Sequence, residues 1–284
     1  MTKNVHRFNH DWTPKKLLLI SDIHWDSAYC RRDILKRHLD EAVEQGADIH
    51  FNGDTFDVMA GRRDFRGSKG SLRPEFKVDH YFDEVVNQAI EWFSPYAEHI
   101  KVVGWGNHET SCLKHNEISI LDRFVGGLNA KNDTHVQLGG YGGWIIYTFK
   151  DTGSKHSYRI KYHHGLGGGV VTKGVIGHSR MSTYIQGADL IWQGHVHEDY
   201  EMNYRVEYMN HHNQVQTKDI LMIRTATYKD EYKKGDEYGA TGWAIEKGFS
   251  PRFIGARWLE LTPCRSQADG KDIRRIQART YQTQ

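Results

Sequence analysis

The chain repeats one arrangement five times: a short, mostly apolar run that ends abruptly in Asp, His, Asn and Gly. Residues 16–20 (KLLLI) lead into Ser21-Asp22-Ile23-His24, and residues 47–51 (ADIHF) lead into Asn52-Gly53-Asp54. Residues 99–103 precede Gly104-Trp105-Gly106-Asn107-His108-Glu109. Residues 158–162 precede His163-His164-Gly165, and residues 188–192 precede Gly194-His195-Val196-His197. A short apolar run of this kind reads as a buried strand. Ligands of open α/β sheets gather outside the carboxyl ends of strands. The fold therefore has to bring these strand ends together.

Between the runs, the pattern switches to helical spacing. Ile34, Leu35, Leu39, Ala42 and Val43 give residues 31–45 one apolar face, and Gly46 stops the helix. Residues 79–93 and 118–124 read as further helices, and a short one is expected around 181–186. Strands are expected at 135–138 and 144–149, and again from about 200 to 261. Residues 61–74 read as a charged loop. The polar stretch 268–284 reads as a flexible tail, with 271–284 as a surface helix or unstructured chain. No repeat or linker interrupts residues 1–284, which are read as a single α/β domain.

Composition narrows the compartment and the partners. The formal net charge of +2 neither demands nor excludes nucleic acid. The three cysteines, Cys30, Cys112 and Cys264, are far apart and form no CxxC pair. That argues against a disulfide framework or a thiolate zinc site and for a reducing, cytoplasmic setting. Residues 1–14 lack the apolar core of a signal peptide. No run approaches the roughly 20 apolar residues of a membrane helix, so no membrane partner is expected.

The polar clusters have the chemistry of metal ligands. In a strand, residues i and i+2 point the same way. Asp22 with His24, and His195 with His197, are thereby expected to face one ion each. Carboxylate, imidazole and amide oxygen without thiolate suit Mn, Fe, Zn or Ni. Two such ions roughly 3.5–4 Å apart clamp the attacking and leaving oxygens of an in-line displacement.

Taken in order, Asp22-x-His24, Gly53-Asp54, Gly106-Asn107-His108-Glu109, His164-Gly165 and Gly194-His195-x-His197 resemble the calcineurin-like metallophosphoesterase family. The resemblance implies two mixed β-sheets packed face to face and flanked by helices. It implies two divalent transition ions, manganese first. Asp22, His24 and His197 would hold one ion, and Asn107, His164 and His195 the other, with Asp54 bridging. His108 would assist the leaving group, and Asp22 would help hold a metal-bridging hydroxide, the nucleophile. Glu109 would orient His108 from behind. Residue alternation admits only one of His163 and His164 as a ligand, and the family pattern favours His164, which precedes Gly.

The family leaves the phosphoester open. Gly53-Asp54-x-Phe56-Asp57 is similar to the nuclease branch, and Arg62, Arg63, Arg66, Lys69 and Arg73 form a basic loop that suits a polyanion. A phosphodiesterase or nuclease is the leading expectation. A protein Ser/Thr phosphatase would carry Arg-Gly where Val58-Met59 stand and Arg where Trp105 stands. A scaffold that has lost catalysis is the third reading. Further candidate substrate contacts are Arg180, His178, Arg62 and Trp25, and the glycines from 165 to 169 are a candidate phosphate cradle. Asp57 is read as structural and His211-His212 as a surface pair. A homo-oligomer is compatible with the sequence.

Overall fold

The computed structural model describes residues 4–59, 72–167, 172–232, 243–246, 248–268 and 271–284. The chain folds as α/β, with two mixed six-stranded sheets. One sheet has, in spatial order, β12 (Lys271–Gln282), β11 (Arg257–Ala268), β2 (Lys15–Ile20), β3 (Asp48–Asn52), β4 (Ile100–Gly104) and β5 (Gln137–Leu138). The other has β1 (Val5–Asp11), β6 (Gly142–Asp151), β7 (Ser154–His163), β8 (Leu190–Gln193), β10 (Val215–Arg224) and β9 (Tyr200–Met209).

Strand alternation divides the core into layers. Leu17 and Leu19 of β2 pack between the sheets, with Val102, Tyr147, Ile160 and Trp192. Leu18 and Ile20, the other face of the same strand, pack against a helical layer. That layer contains α1 (Arg32–Glu44), α2 (Tyr81–Phe93) and α4 (Ile120–Asn132). Each fully buried Leu or Ile in β2 contributes roughly 1.5–3 kcal/mol relative to exposure. On the outer face of the second sheet, Ile191, Ile220 and Met222 cluster with Met181 of α5 (Val175–Tyr184). The order is helix, sheet, sheet, helix.

β2, β3 and β4 are parallel neighbours, and so are β7 and β8 in the other sheet. Their carboxyl ends meet. Asn52 Nδ2 donates to His163 O at 3.3 Å, and Gly194 N donates to His164 O at 2.8 Å.

Several elements differ from the sequence reading. The expected tail is strand β12, paired antiparallel with β11 from Arg257↔Gln282 to Ala268↔Lys271. Ile276 and Ala278 pack against the inter-sheet core while Arg275, Gln277 and Arg279 face out. An edge strand buried on one side needs only alternate apolar residues, and here arginine and glutamine fill the gaps. β1 escapes the apolar test for the same reason, since its inward residues include His6, bonded to Gln137 Oε1 at 2.7 Å. The helix expected at 181–186 is α5, which begins earlier and ends at Tyr184. An unexpected helix, α3 (Asn107–Asn116), starts inside the third polar cluster. The expected loop at 61–74 lies mostly outside the described residues. Among the described residues, no helix is long and apolar enough to cross a membrane.

Candidate metal centre

The five polar clusters converge on one place. Donor atoms of Asp22, His24 and His197 lie within 4.8 Å of one another, and so do those of Asp54, His164 and His195. His24 Nε2 is 3.2 Å from His197 Nε2, which is 3.4 Å from Asp22 Oδ1. In the second set, His164 Nε2 is 3.2 Å from Asp54 Oδ2. Asn107 Oδ1 is 3.0 Å from His164 Nε2 and 2.7 Å from His195 Nδ1. The sets adjoin, with His164 Nε2 4.0 Å from Asp22 Oδ1.

Strand alternation does not align these side chains. β2 ends at Ile20, and Asp22, His24, Asp54, His195 and His197 all adopt positive φ, between 49° and 72°. The loops turn left-handed at the donors, which corrects the i, i+2 strand geometry expected from the sequence. Such residues cost of order 1–3 kcal/mol each and persist where surrounding contacts hold them. The contacts are visible. Asp22 N donates to Gly53 O, His24 N to Asp54 O, and His195 N to Asp22 Oδ2 at 2.9 Å. Glycine is required at Gly53, with φ of 81°, where a Cβ would lie 2.7 Å from Gly106 Cα and from Trp105 O.

A second layer sets the tautomers. His164 Nδ1 donates to Asn52 O at 2.7 Å, and His24 Nδ1 to Asp57 Oδ1 at 2.9 Å. Each ring thereby turns the lone pair of Nε2 inward, the arrangement that orients metal-binding imidazoles. His108 Nδ1 lies 2.6 Å from Asp57 O, and its Nε2 is 3.8 Å from Asp54 Oδ2. Its side chain is 11% exposed, at the edge of the cluster.

Glu109 does not orient His108. It accepts N–H bonds from Gly106, Asp54 and Phe56 at 2.9, 3.1 and 2.9 Å, so it ties the start of α3 to the Asp54 loop. Burial and the nearby Asp54 charge push its carboxyl up to about 8, against those donors. The start of α3 also gives His108 N to Asp54 Oδ1 at 2.9 Å.

The electrostatics explain what the cluster needs. Burial, with help from Lys229, pulls His24 down to about 4, so its ring is neutral. Burial opposes protonation of His164, but Asp54 and Asp22 push it up to about 9. For His197 burial is likewise overcome, by Asp22 and Glu231, giving about 10. Asp22 and Asp54 are raised by burial yet held below the ordinary carboxylate range, Asp22 by His197 and His164, Asp54 by His164 and His108. Acceptors converge on acceptors, and either protons or cations must fill the space between them. Oxygen and imidazole donors without sulfur fit a divalent transition ion.

No family model matches the chain, and no curated protein is similar to it. A solved structure that resembles it is GAP50, described as "the anchor in the inner membrane complex of Plasmodium". That protein is 11% identical, with a TM-score of 0.41 over 95% of this chain and 88% of the other. The functional reading therefore rests on the side chains themselves.

Of the residues expected to bind substrate, two are buried in the packing, one is exposed and one lies outside the described residues. Trp25 is 1% exposed and packs among Phe56, Phe76, Trp92 and Phe93, because its loop turns back under α2. His178 is buried on α5, bonded to Tyr200 Oη at 2.9 Å and Ile191 O at 3.2 Å, which joins helix to sheet. Arg180, on the exposed side of α5, faces solvent. Arg62 lies outside the described residues, as do Arg63, Arg66, Lys69, Gly168 and Gly169. Arg73 pairs with Glu75 at 2.9 Å. His164 faces the centre, while His163 Nδ1 accepts from Gly165 N at 3.1 Å. The rings of His211 and His212 lie against each other in an exposed turn, tilted by 49°, with centroids 4.0 Å apart.

Sequence reasoning missed two residues here. Lys229 Nζ lies 2.8 Å from Asp57 Oδ1, and Glu231 Oε2 lies 3.7 Å from His197 Nδ1. Neither belongs to a polar cluster at the end of an apolar run. The isolated bridge Cys30↔Lys229 and Tyr228 N donating to Asp22 O bring them in.

Proposed function

We propose that this chain is a dinuclear-metal phosphoester hydrolase of the calcineurin-like type, acting on phosphodiesters, nucleic acid included. The observation that carries the reading is the pair of adjoining donor sets with His108 beside them. Asp22, His24 and His197 would hold one divalent ion, manganese first. Asn107, His164 and His195 would hold a second, with Asp54 shared. When bound, such ions neutralise phosphoryl charge and lower the pKa of water near them.

The protein's own groups supply the rest. The inward lone pairs of His24 and His164 are fixed by Asp57 and Asn52, so little reordering is needed when an ion enters. His108, anchored through Nδ1, directs Nε2 toward the space beside Asp54 and is placed to hand a proton to the leaving oxygen. Phosphodiesters are favoured over phosphoserine because no arginine stands in the positions that grip a phosphomonoester. Val58 is buried, and Trp105 packs against the helical-layer core. Cys30, Cys112 and Cys264 form no disulfide among the described residues, which accords with a reducing, cytoplasmic compartment.

The test is a substrate panel with added manganese, comparing a phosphomonoester, a phosphodiester, cyclic nucleotides and single- and double-stranded DNA. Turnover of diesters is the expected result, and turnover of monoesters alone would overturn the diester assignment. Asp54→Ala should lose bound metal and activity together. His108→Ala should keep the metal and slow turnover by ~10²-fold or more. A metal-free, inactive wild-type protein would refute the whole reading and leave a scaffold.

A further inference from the structure

The centre contains a third donor set. His24, Asp57 and His108 also place donor atoms within 4.8 Å of one another. His24 belongs to both this set and the Asp22 set. His24 faces Asp57 through Nδ1 and His197 through Nε2. An ion bound between His24, Asp57 and His108 would therefore displace the Nδ1 proton of His24 to Nε2, closing that nitrogen to the Asp22 set, and would pull His108 Nδ1 from Asp57 O. Asp57 makes this competition serious, since it is a buried carboxylate with one oxygen 2.9 Å from His24 Nδ1 and 3.7 Å from His108 Nδ1.

Lys229 occupies that carboxylate. Its Nζ lies 2.8 Å from Asp57 Oδ1, the oxygen that also faces both rings, and 3.7 Å from Glu231 Oε1. The lysine is buried, 7% exposed, and stays charged because Asp57 and Glu231 outweigh its desolvation. Glu231 in turn faces His197 at 3.7 Å. One ammonium thus lies between the two carboxylates that stand behind the imidazoles of the Asp22 set, closest to Asp57.

We propose that Lys229 is a positioning residue that keeps divalent ions out of the His24–Asp57–His108 set, and so reserves His24 for the Asp22 set and His108 for substrate. The proposal rests on the two-metal reading above. Its physics is charge exclusion. A fixed cation already coordinated by Asp57 repels a second one, and it leaves Asp57 able to accept from His24 Nδ1–H but not to bind metal. That proton keeps Nδ1 closed and Nε2 open. Without the ammonium, the carboxylate and the two nearby ring nitrogens form an uncompensated ligand set of the kind that captures transition ions.

The experiment is crystallography with anomalous scattering of manganese-soaked full-length protein, together with metal counting. Wild type should show manganese at the Asp22 and Asp54 sets only. Lys229→Met and Lys229→Gln should each show new density between His24, Asp57 and His108, with that beside Asp22 and His197 reduced. The glutamine variant keeps a donor to Asp57 without charge, and it remains a test if the methionine variant does not fold. Lys229→Arg, which keeps the cation, should restore the wild-type distribution. Manganese confined to the wild-type positions in both neutral variants would overturn the proposal while leaving the two-metal reading intact. Absence of manganese from the wild type would overturn both.

Discussion

Asn107 Oδ1 and His164 Nε2 face each other at 3.0 Å, and because His164 Nδ1 already donates to Asn52 O, the neutral ring offers only a lone pair toward the amide oxygen. The contact is favourable only with a proton or a cation between them. Asp54 and Asp22 hold that proton on His164 up to about 9, and Asp22 and Glu231 hold one on His197 up to about 10.

Metal uptake should therefore release protons. Titration of the chelated protein with manganese at pH 7 should acidify an unbuffered solution, and apparent affinity should rise as pH approaches 9. The same protons stabilise the metal-free fold. Their contribution is complete below the unfolded histidine value of about 6.5 and is lost as pH rises through about 9 to 10. The melting temperature of EDTA-treated protein should fall between pH 7 and 10. A flat profile would contradict protonation of these rings.

The acid side is governed by different histidines. Burial holds His50 down to about 3 in the inter-sheet core, where Nε2 meets Tyr147 Oη at 2.9 Å, and His178 down to about 3 on α5. Both contribute stability above about 6.5 that is lost as pH falls toward 3. Melting temperature should drop on acidification from pH 7 to 5, and His50→Gln should flatten that slope. Differential scanning calorimetry across the range is the measurement.

Gly53→Ala tests the close approach of the loops. The added methyl would meet Gly106 Cα and Trp105 O at 2.7 Å, on a backbone with φ of 81°. Backbone cannot move aside as a side chain would. A cost of about 1–3 kcal/mol is expected. Metal affinity should fall as well, because the same loop carries Asp54. Denaturant unfolding and metal counting would read the two effects separately.

Trp25→Ala and Arg180→Ala should separate core from surface. Trp25 is enclosed by four aromatic neighbours and by Arg32, whose Cζ lies 3.7 Å from its ring centroid. Its truncation should cost about 3–5 kcal/mol. Arg180→Ala, at an exposed position of α5, should stay within about 0.5 kcal/mol of wild type and leave turnover unchanged. A large loss of activity in Arg180→Ala would place that side chain at substrate after all.

The ligand-type residues and the strands behind them were legible in one dimension, because an unbroken apolar run and the polar stop after it are both local features. KLLLI before Asp22 and the run before Gly194 needed no neighbour to be recognised. Tertiary structure alone decided how those stops become a cluster. The left-handed turns at Asp22, Asp54 and His195 are held by hydrogen bonds from distant segments, and no local periodicity encodes them. It also decided which charged groups stand behind the ligands. Glu109 turned to the Asp54 loop, Trp25 to the core, and Lys229 and Glu231 arrived from a segment 32 residues beyond His197 and beyond. Burial forces a buried carboxylate to find a partner, and the chain meets that need from wherever the fold brings a cation close.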